Sequence, residues 1–117
     1  MGTFSVDIQV GDPQGQRFER FEALVDTGAS YTTLAASRLH NLDVIPMRRQ
    51  RFVLANGEIV EKDVGETRVR VDGREGTTVV FGDEDAGPLL GAVTLEQMGL
   101  GVDPMSQTLV EMPGLLL

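Results

Sequence analysis

FEALVDTGASYTTL, residues 21–34, decides how this chain is read. Its apolar run Ala23-Leu24-Val25 stops at an acid, Asp26, which Thr27 and Gly28 follow at once. An unpaired carboxylate is costly to bury and tends to protonate instead. A strand that leaves an interior on Asp26 therefore needs a reason for doing so. On these residues alone two readings stay open. Asp-Thr-Gly can be a plain turn, its carboxylate accepting nearby backbone N–H groups. Alternatively the acid is presented for chemistry, and Gly28 lets another molecule come close to the backbone.

Upstream, TFSVDIQV (3–10) alternates strictly, with Phe4, Val6, Ile8 and Val10 on one face. That period of two predicts a half-buried strand. GDPQGQ (11–16) is dense in turn formers, so Arg17–Asp26 reads as the returning arm of a hairpin. Downstream, LAASRLHNL (34–42) suits a short helix with Leu34, Leu39 and Leu42 on one side. RFVLANGEIV (51–60) is a second hairpin signal, because Asn56-Gly57 tolerates positive φ at both central positions of a type I′ turn. TRVRV (67–71) and TTVVF (77–81) read as two further strands around a turn at Asp72-Gly73. GDEDAGP (82–88) is an acidic, solvated loop. LLGAVTLEQMGL (89–100) is a strand end leading into a helix over Ala92–Met98, stopped by Gly99. LGVDPMSQTLVEM (100–112) returns to strand before the terminal PGLLL. The whole pattern predicts one mainly β domain over residues 1–117, with one or two short helices.

The composition narrows the chemistry. A chain of 117 residues builds one modest core. No stretch approaches the roughly 18 consecutive apolar residues of a membrane span. MGTFSVDIQV lacks a basic segment followed by an apolar one, and Val6 stands where a myristoylated Gly2 would want Ser or Thr. These features lead to the expectation of a cytoplasmic protein. Cysteine is absent and His40 is the single histidine, which removes thiolate chemistry and leaves too few ligands for a zinc site or a Ser-His-Asp triad. The net charge of −8 repels nucleic acid and anionic membranes and favours neutral or basic partners. No cofactor or metal is expected. Carboxylates remain as the chemically competent groups.

Three features occur in order: Val25-Asp26-Thr27-Gly28-Ala29-Ser30, the hairpin around Asn56-Gly57, and Leu89-Leu90-Gly91 running into a helix. This ordered set, from Phe21 to Gly101, resembles the retropepsin-like aspartic peptidases, the single-domain relatives of retroviral proteases. The resemblance implies a closed acid-protease-type β-barrel, one lobe per chain. It implies an aspartic endopeptidase in which two aspartates share one proton and one water. No second Asp-Thr-Gly or Asp-Ser-Gly exists here: Asp72 precedes glycine directly, Asp103 precedes Pro104, and Asp83 and Asp85 lie in the acidic loop. The second acid must then come from another copy, so the expectation is a homodimer with the Asp26 of each chain facing across a twofold axis. The same fold serving as a noncatalytic dimerisation or peptide-binding module is the alternative.

The resemblance assigns Asp26, Thr27 and Gly28 as catalytic residues. Thr27 would bond across the axis, and Gly28 would offer its carbonyl to a peptide substrate. Ala29, Ser30, Leu54, Ala55, Asn56, Gly57 and Leu89 would contact that peptide, with Ala55-Asn56-Gly57 as the tip of a flap. Val53 and Ile59 fit either a pocket wall or a core, Tyr31 follows the motif closely enough to touch substrate, and Leu90 would pack beneath the Asp loop. His40 reads as a surface helix residue. Ser30 and Ala92 depart from the family, whose retroviral members often carry an acid and an arginine at those positions as a dimer-bracing ion pair. Ala29 offers no hydroxyl to the neighbouring carboxylate, which predicts a weakly acidic pH optimum, above that of the gastric enzymes. Leu115-Leu116-Leu117 is an apolar tail suited to pairing across the twofold.

Overall fold

In the computed structural model, which describes residues 4–116, the alternation of the first segment becomes an antiparallel hairpin. Its strands are β1 (Phe4–Gly11) and β2 (Phe18–Val25), paired from Phe4↔Val25 to Gly11↔Phe18. Ile8, Val10, Phe21, Ala23 and Val25 are buried, whereas Asp7, Gln9 and Glu22 are exposed. At the turn, the Asp12 carboxylate accepts the N–H groups of Gln16 and Arg17, both at 2.7 Å. Those bonds favour the ionised form and hold the Asp12 pKa below its usual value, the Arg17 N–H being the largest cause. The expectations placed on Gly2, on Thr3 as a strand residue and on Leu117 lie outside the described residues.

The helix expected over 34–42 is shorter and starts later. Thr32–Ala35 is a strand (β3), and the helix α1 covers Ala36–Asn41. A partner strand captures the first part: β3 runs parallel to Val79–Gly82, with Leu34 opposite Phe81. Leu34, Leu39 and Leu42 still reach one core, at 0%, 0% and 1% exposure. No side-chain cap belongs to the residue preceding α1; instead the Glu84 carboxylate takes the Ser37 N–H and hydroxyl. The Ser37 hydroxyl is the main reason that the Glu84 pKa lies below its usual value.

The second hairpin comprises β4 (Arg48–Val53) and β5 (Ile59–Val71). Its turn differs from the expected type I′. Among the described residues Gly57 has positive φ, +87°, and Asn56 does not. Gly57 N–H donates to the Leu54 carbonyl, Leu54 N–H donates to Glu58, and Asn56 Oδ1 accepts the Glu58 N–H. This is a three-residue loop closed by a left-handed glycine. The type I′ geometry occurs at Asp72-Gly73, both at positive φ, between β5 and β6 (Arg74–Gly82). TRVRV is also not a separate strand: it is the distal half of the 13-residue β5. A register shift between Glu66 and Val69 lets the first half pair with β4 and the second half with β1.

Leu89–Leu90 (β7) lies parallel to Leu24–Val25 and antiparallel to Thr33. The helix α2 covers Ala92–Met98 and stops at Gly99, whose φ of +70° is the left-handed cap that glycine favours. The returning segment is a hairpin and not a single strand: β8 (Leu100–Asp103) pairs with β9 (Thr108–Glu111). Asp103 stops the first arm by accepting the Met105 N–H. The sheet order β1-β2-β7-β3-β6-β5 closes through the β1–β5 pairing into a ring of strands, with β4 outside it as the far arm of β5. The expectation of a mainly β chain with one or two short helices is met, with two helices among the described residues. Its core gathers Ile8, Val10, Val25, Leu34, Val69, Phe81, Leu90 and Leu95 inside that ring.

Candidate active site

Asp26 sits where β2 runs out of partners. Its N–H donates to the Leu90 carbonyl at 3.1 Å, continuing the β2–β7 ladder by one bond. The chain then folds over: Ala29 N–H donates to the Asp26 carbonyl, and Gly28 N–H donates to Asp26 Oδ1 at 2.9 Å. The turn reading of Asp-Thr-Gly is therefore geometrically correct. It does not exhaust the carboxylate, which is half-buried, and among the described residues no ion pair reaches it. Thr27 and Gly28 are exposed beside it. Gly28 has no positive φ; a methyl group there would meet only Asp26 Oδ1, at 3.1 Å. Glycine at this position keeps the space over the carboxylate clear.

The loop rests on α2. Ala92 N–H donates to the Ala29 carbonyl at 2.9 Å, and Val93 N–H to the Ser30 carbonyl at 2.8 Å. The first N–H groups of a helix lack partners within it, and the loop carbonyls supply them. Gly91 N–H donates to Thr32 Oγ1, which also bonds Thr94 Oγ1, both threonines being fully buried. A Cβ at Gly91 would stand 2.6 Å from the Tyr31 carbonyl carbon and 2.8 Å from the Ser30 oxygen. Backbone lies against backbone here, which is why this position is glycine. Positions 30 and 92, without an acid and an arginine, are each held by a main-chain bond, Ser30 to Val93 and Ala92 to Ala29.

Facing the loop across a cleft of about 740 Å³ is the β4–β5 hairpin. Gly28, Ala29, Ser30 and Tyr31 form one wall; Phe52, Val53 and Leu54 form the other. Tyr31 and Phe52 join the walls edge to face. Of the residues assigned to peptide contact, Ala29, Ser30 and Leu54 line this cleft. Ala55, Asn56 and Gly57 are exposed at the hairpin tip, and half-buried Leu89 is paired between Leu24 and Thr33; none of these four lines the cleft. Ile59, opposite Val53, is 54% exposed. His40 is exposed and rests against Phe81.

Gln50, Lys62, Val80, Asp83 and Val93 also line the cleft, and the sequence reading passed over them. Strand periodicity would have found two. Once Phe52 faces inward, Gln50 on the same strand does too, and so does its cross-strand partner Lys62. Another cleft, of about 580 Å³, lies between Asp7, Arg20, Arg70 and Glu75. Four of its charges pair with one another, Arg20 with Asp7 and Arg70 with Glu75, Asp72 also lines it, and it holds none of the motif residues. Among the described residues no cluster of three or more His, Asp or Glu forms a metal site, and no helix is long and apolar enough to cross a membrane.

Residues 6–103 match the sequence model of a family described as aspartyl protease. Among solved structures, the protease of simian foamy virus (mac) is similar with a TM-score of 0.55 and 18% identity, over 79% of this chain and 91% of that one. The EIAV protease complexed with the inhibitor HBY-793 gives 0.58 and 17%, over 84% and 89%. A retropepsin-like aspartic protease from Rickettsia conorii gives 0.51 and 22%, over 87% and 88%. These likenesses establish a shared fold. No curated protein matches the chain in sequence.

Proposed function

This chain belongs to the aspartyl protease family, and from that premise we propose that it is a homodimeric endopeptidase whose reaction centre is the pair of Asp26 side chains. The observation that carries the proposal is the position of Asp26: a half-buried acid at a strand end, bonded by the N–H of Gly28, which itself lines a cleft that a hairpin walls off. One chain offers one such acid. Two chains related by a twofold axis offer two, and a close pair of carboxylates holds a single proton between them.

In the proposed reaction, the ionised Asp26 takes a proton from water as the water oxygen bonds to the peptide carbonyl carbon. The protonated Asp26 of the other chain hydrogen-bonds the carbonyl oxygen as charge develops there. Collapse of the tetrahedral intermediate breaks the C–N bond, and the proton gained from water passes to the leaving nitrogen. Peptide lies extended between the 28–31 loop and the hairpin tip, bonding to both as an added strand. The β4–β5 hairpin acts as the flap and keeps bulk water from the reacting atoms. Exposed Leu115 and Leu116, at 93% and 97%, supply apolar surface for the second copy.

The test compares wild type with Asp26→Asn on a mixed peptide library, with the oligomeric state measured in parallel by sedimentation. Cleavage by the wild-type dimer alone is the expected outcome. Equal cleavage by both proteins, or by neither, overturns the hydrolytic reading and leaves a peptide-binding or dimerisation module.

A further inference from the structure

The cleft has an electrostatic feature that the chain's overall charge conceals. In the β4–β5 ladder Gln50 stands opposite Lys62 and Phe52 opposite Val60, so these four share one face. Phe52 on that face meets Tyr31 across the cleft, and all four line it. Lys62 is thus one of two cations, with Arg51, lining a cleft whose apolar wall includes Tyr31, Phe52, Val60, Val80 and Val93. Its ammonium pairs with Asp83 at 2.5 Å.

That pair is lopsided. Lys62 is 28% exposed and sits in the β4–β5 ladder opposite Gln50; Asp83 is 70% exposed and sits in the loop after β6. An ammonium carries three donors, and Asp83 takes one. Water and salt compete more freely for the exposed anion than for the more buried cation. The fixed member of the pair therefore faces the cleft with donors to spare, and the replaceable member is the carboxylate. An arriving carboxylate can take the place of Asp83 without leaving either Lys62 or Asp83 stranded in a dry environment.

We propose that Lys62 is a specificity-determining residue that selects peptides bearing a glutamate or aspartate side chain in the subsite bounded by Tyr31, Phe52 and Lys62, the substrate carboxylate displacing Asp83. The proposal rests on the peptidase reading above and deepens it. It opposes the expectation drawn from the net charge of −8: the molecule as a whole favours neutral or basic partners, whereas the cleft is lined by two cations, Lys62 and Arg51, and one acid, Asp83.

The experiment uses a peptide set in which Glu, Gln and Lys are scanned through each position of one cleavable sequence, and it reads ratios of kcat/KM. At one position wild type should prefer Glu over Gln by roughly five- to twentyfold, the scale of a partly desolvated charged hydrogen bond. Lys62→Met should bring that ratio near one, and Lys62→Glu should turn the preference toward Lys. Asp83→Asn, which removes the competing carboxylate, should raise the Glu preference. A pair that only holds the hairpin in place would lower cleavage of all peptides alike and leave the ratios unmoved, and that result overturns the proposal. If wild type cleaves nothing, the peptidase reading is what fails. Binding of fluorescent Glu and Gln peptides to wild type, Lys62→Met and Asp83→Asn then decides the inference independently: tighter Glu binding that depends on Lys62 supports it, and equal binding overturns it.

Discussion

The ring of Tyr31 meets the ring of Phe52 edge to face, with centroids 5.6 Å apart and planes at 78°. Tyr31 lies three residues after Gly28, and Phe52 lies near the end of β4. One aromatic contact thus couples the loop that follows the acid to the hairpin on the other side of the cleft. Such a pair contributes about 0.5–1.5 kcal/mol beyond its buried area. A double-mutant cycle with Tyr31→Ala and Phe52→Ala, read by urea unfolding, should return a coupling in that range. Each single variant should also cleave peptide more slowly, because an untethered hairpin spends less time over the loop. Additive effects on stability would show that the contact is incidental.

Gly91 and Gly28 should separate stability from chemistry. Gly91→Ala drives a methyl into the Tyr31 and Ser30 backbone, at 2.6–2.8 Å, and backbone cannot step aside. Overpacking of this type costs about 1–3 kcal/mol, so the urea midpoint should fall together with cleavage. Gly28→Ala meets only the Asp26 carboxylate oxygen at 3.1 Å. Its urea midpoint should stay close to wild type while cleavage drops, since the carboxylate has to move. Equal loss of stability in both variants would contradict this division.

Mixing chains should poison the enzyme. If each site needs two Asp26 residues, equal amounts of wild type and Asp26→Asn at exchange equilibrium give wild-type, mixed and variant dimers in a ratio of about 1:2:1. Activity per dimer should then fall to roughly one quarter, and wild-type activity per milligram should decline on dilution through the dimer dissociation range. Activity that follows the wild-type fraction linearly, at about one half, would mean that one chain carries a complete site.

The β1–β2 turn should show a pH signature through Asp12. The Arg17 and Gln16 N–H groups hold its folded pKa below the unfolded value of 3.8. The stabilisation is therefore fully present above the unfolded value and is lost as pH falls through the lower folded value. Urea midpoints measured from about pH 6 down to about pH 2 should fall less steeply for Asp12→Asn than for wild type, and the variant should be the less stable protein at neutral pH. Parallel curves would show that the two N–H bonds do not distinguish the charged carboxylate from a neutral amide.

Local pattern settled a good deal of this protein before any coordinates. The alternation of Phe4, Val6, Ile8 and Val10, the stop at Gly99 and the ordered set Asp26-Thr27-Gly28, Asn56-Gly57 and Leu89-Leu90-Gly91 depend on neighbours in the chain, and a one-dimensional reading reaches them. Contacts between distant residues needed the folded chain. Leu34 belongs to a strand because Val79–Gly82 lies alongside; TRVRV continues the second arm of the β4–β5 hairpin because β1 and β4 take different halves of β5. Gly91 is required by the Tyr31 backbone, sixty positions away. Lys62 faces Asp83 through pairing that its immediate neighbours do not encode. Composition sums charge over the whole surface, whereas a cleft responds to the few groups that the ladder turns inward, and only tertiary structure decides which those are.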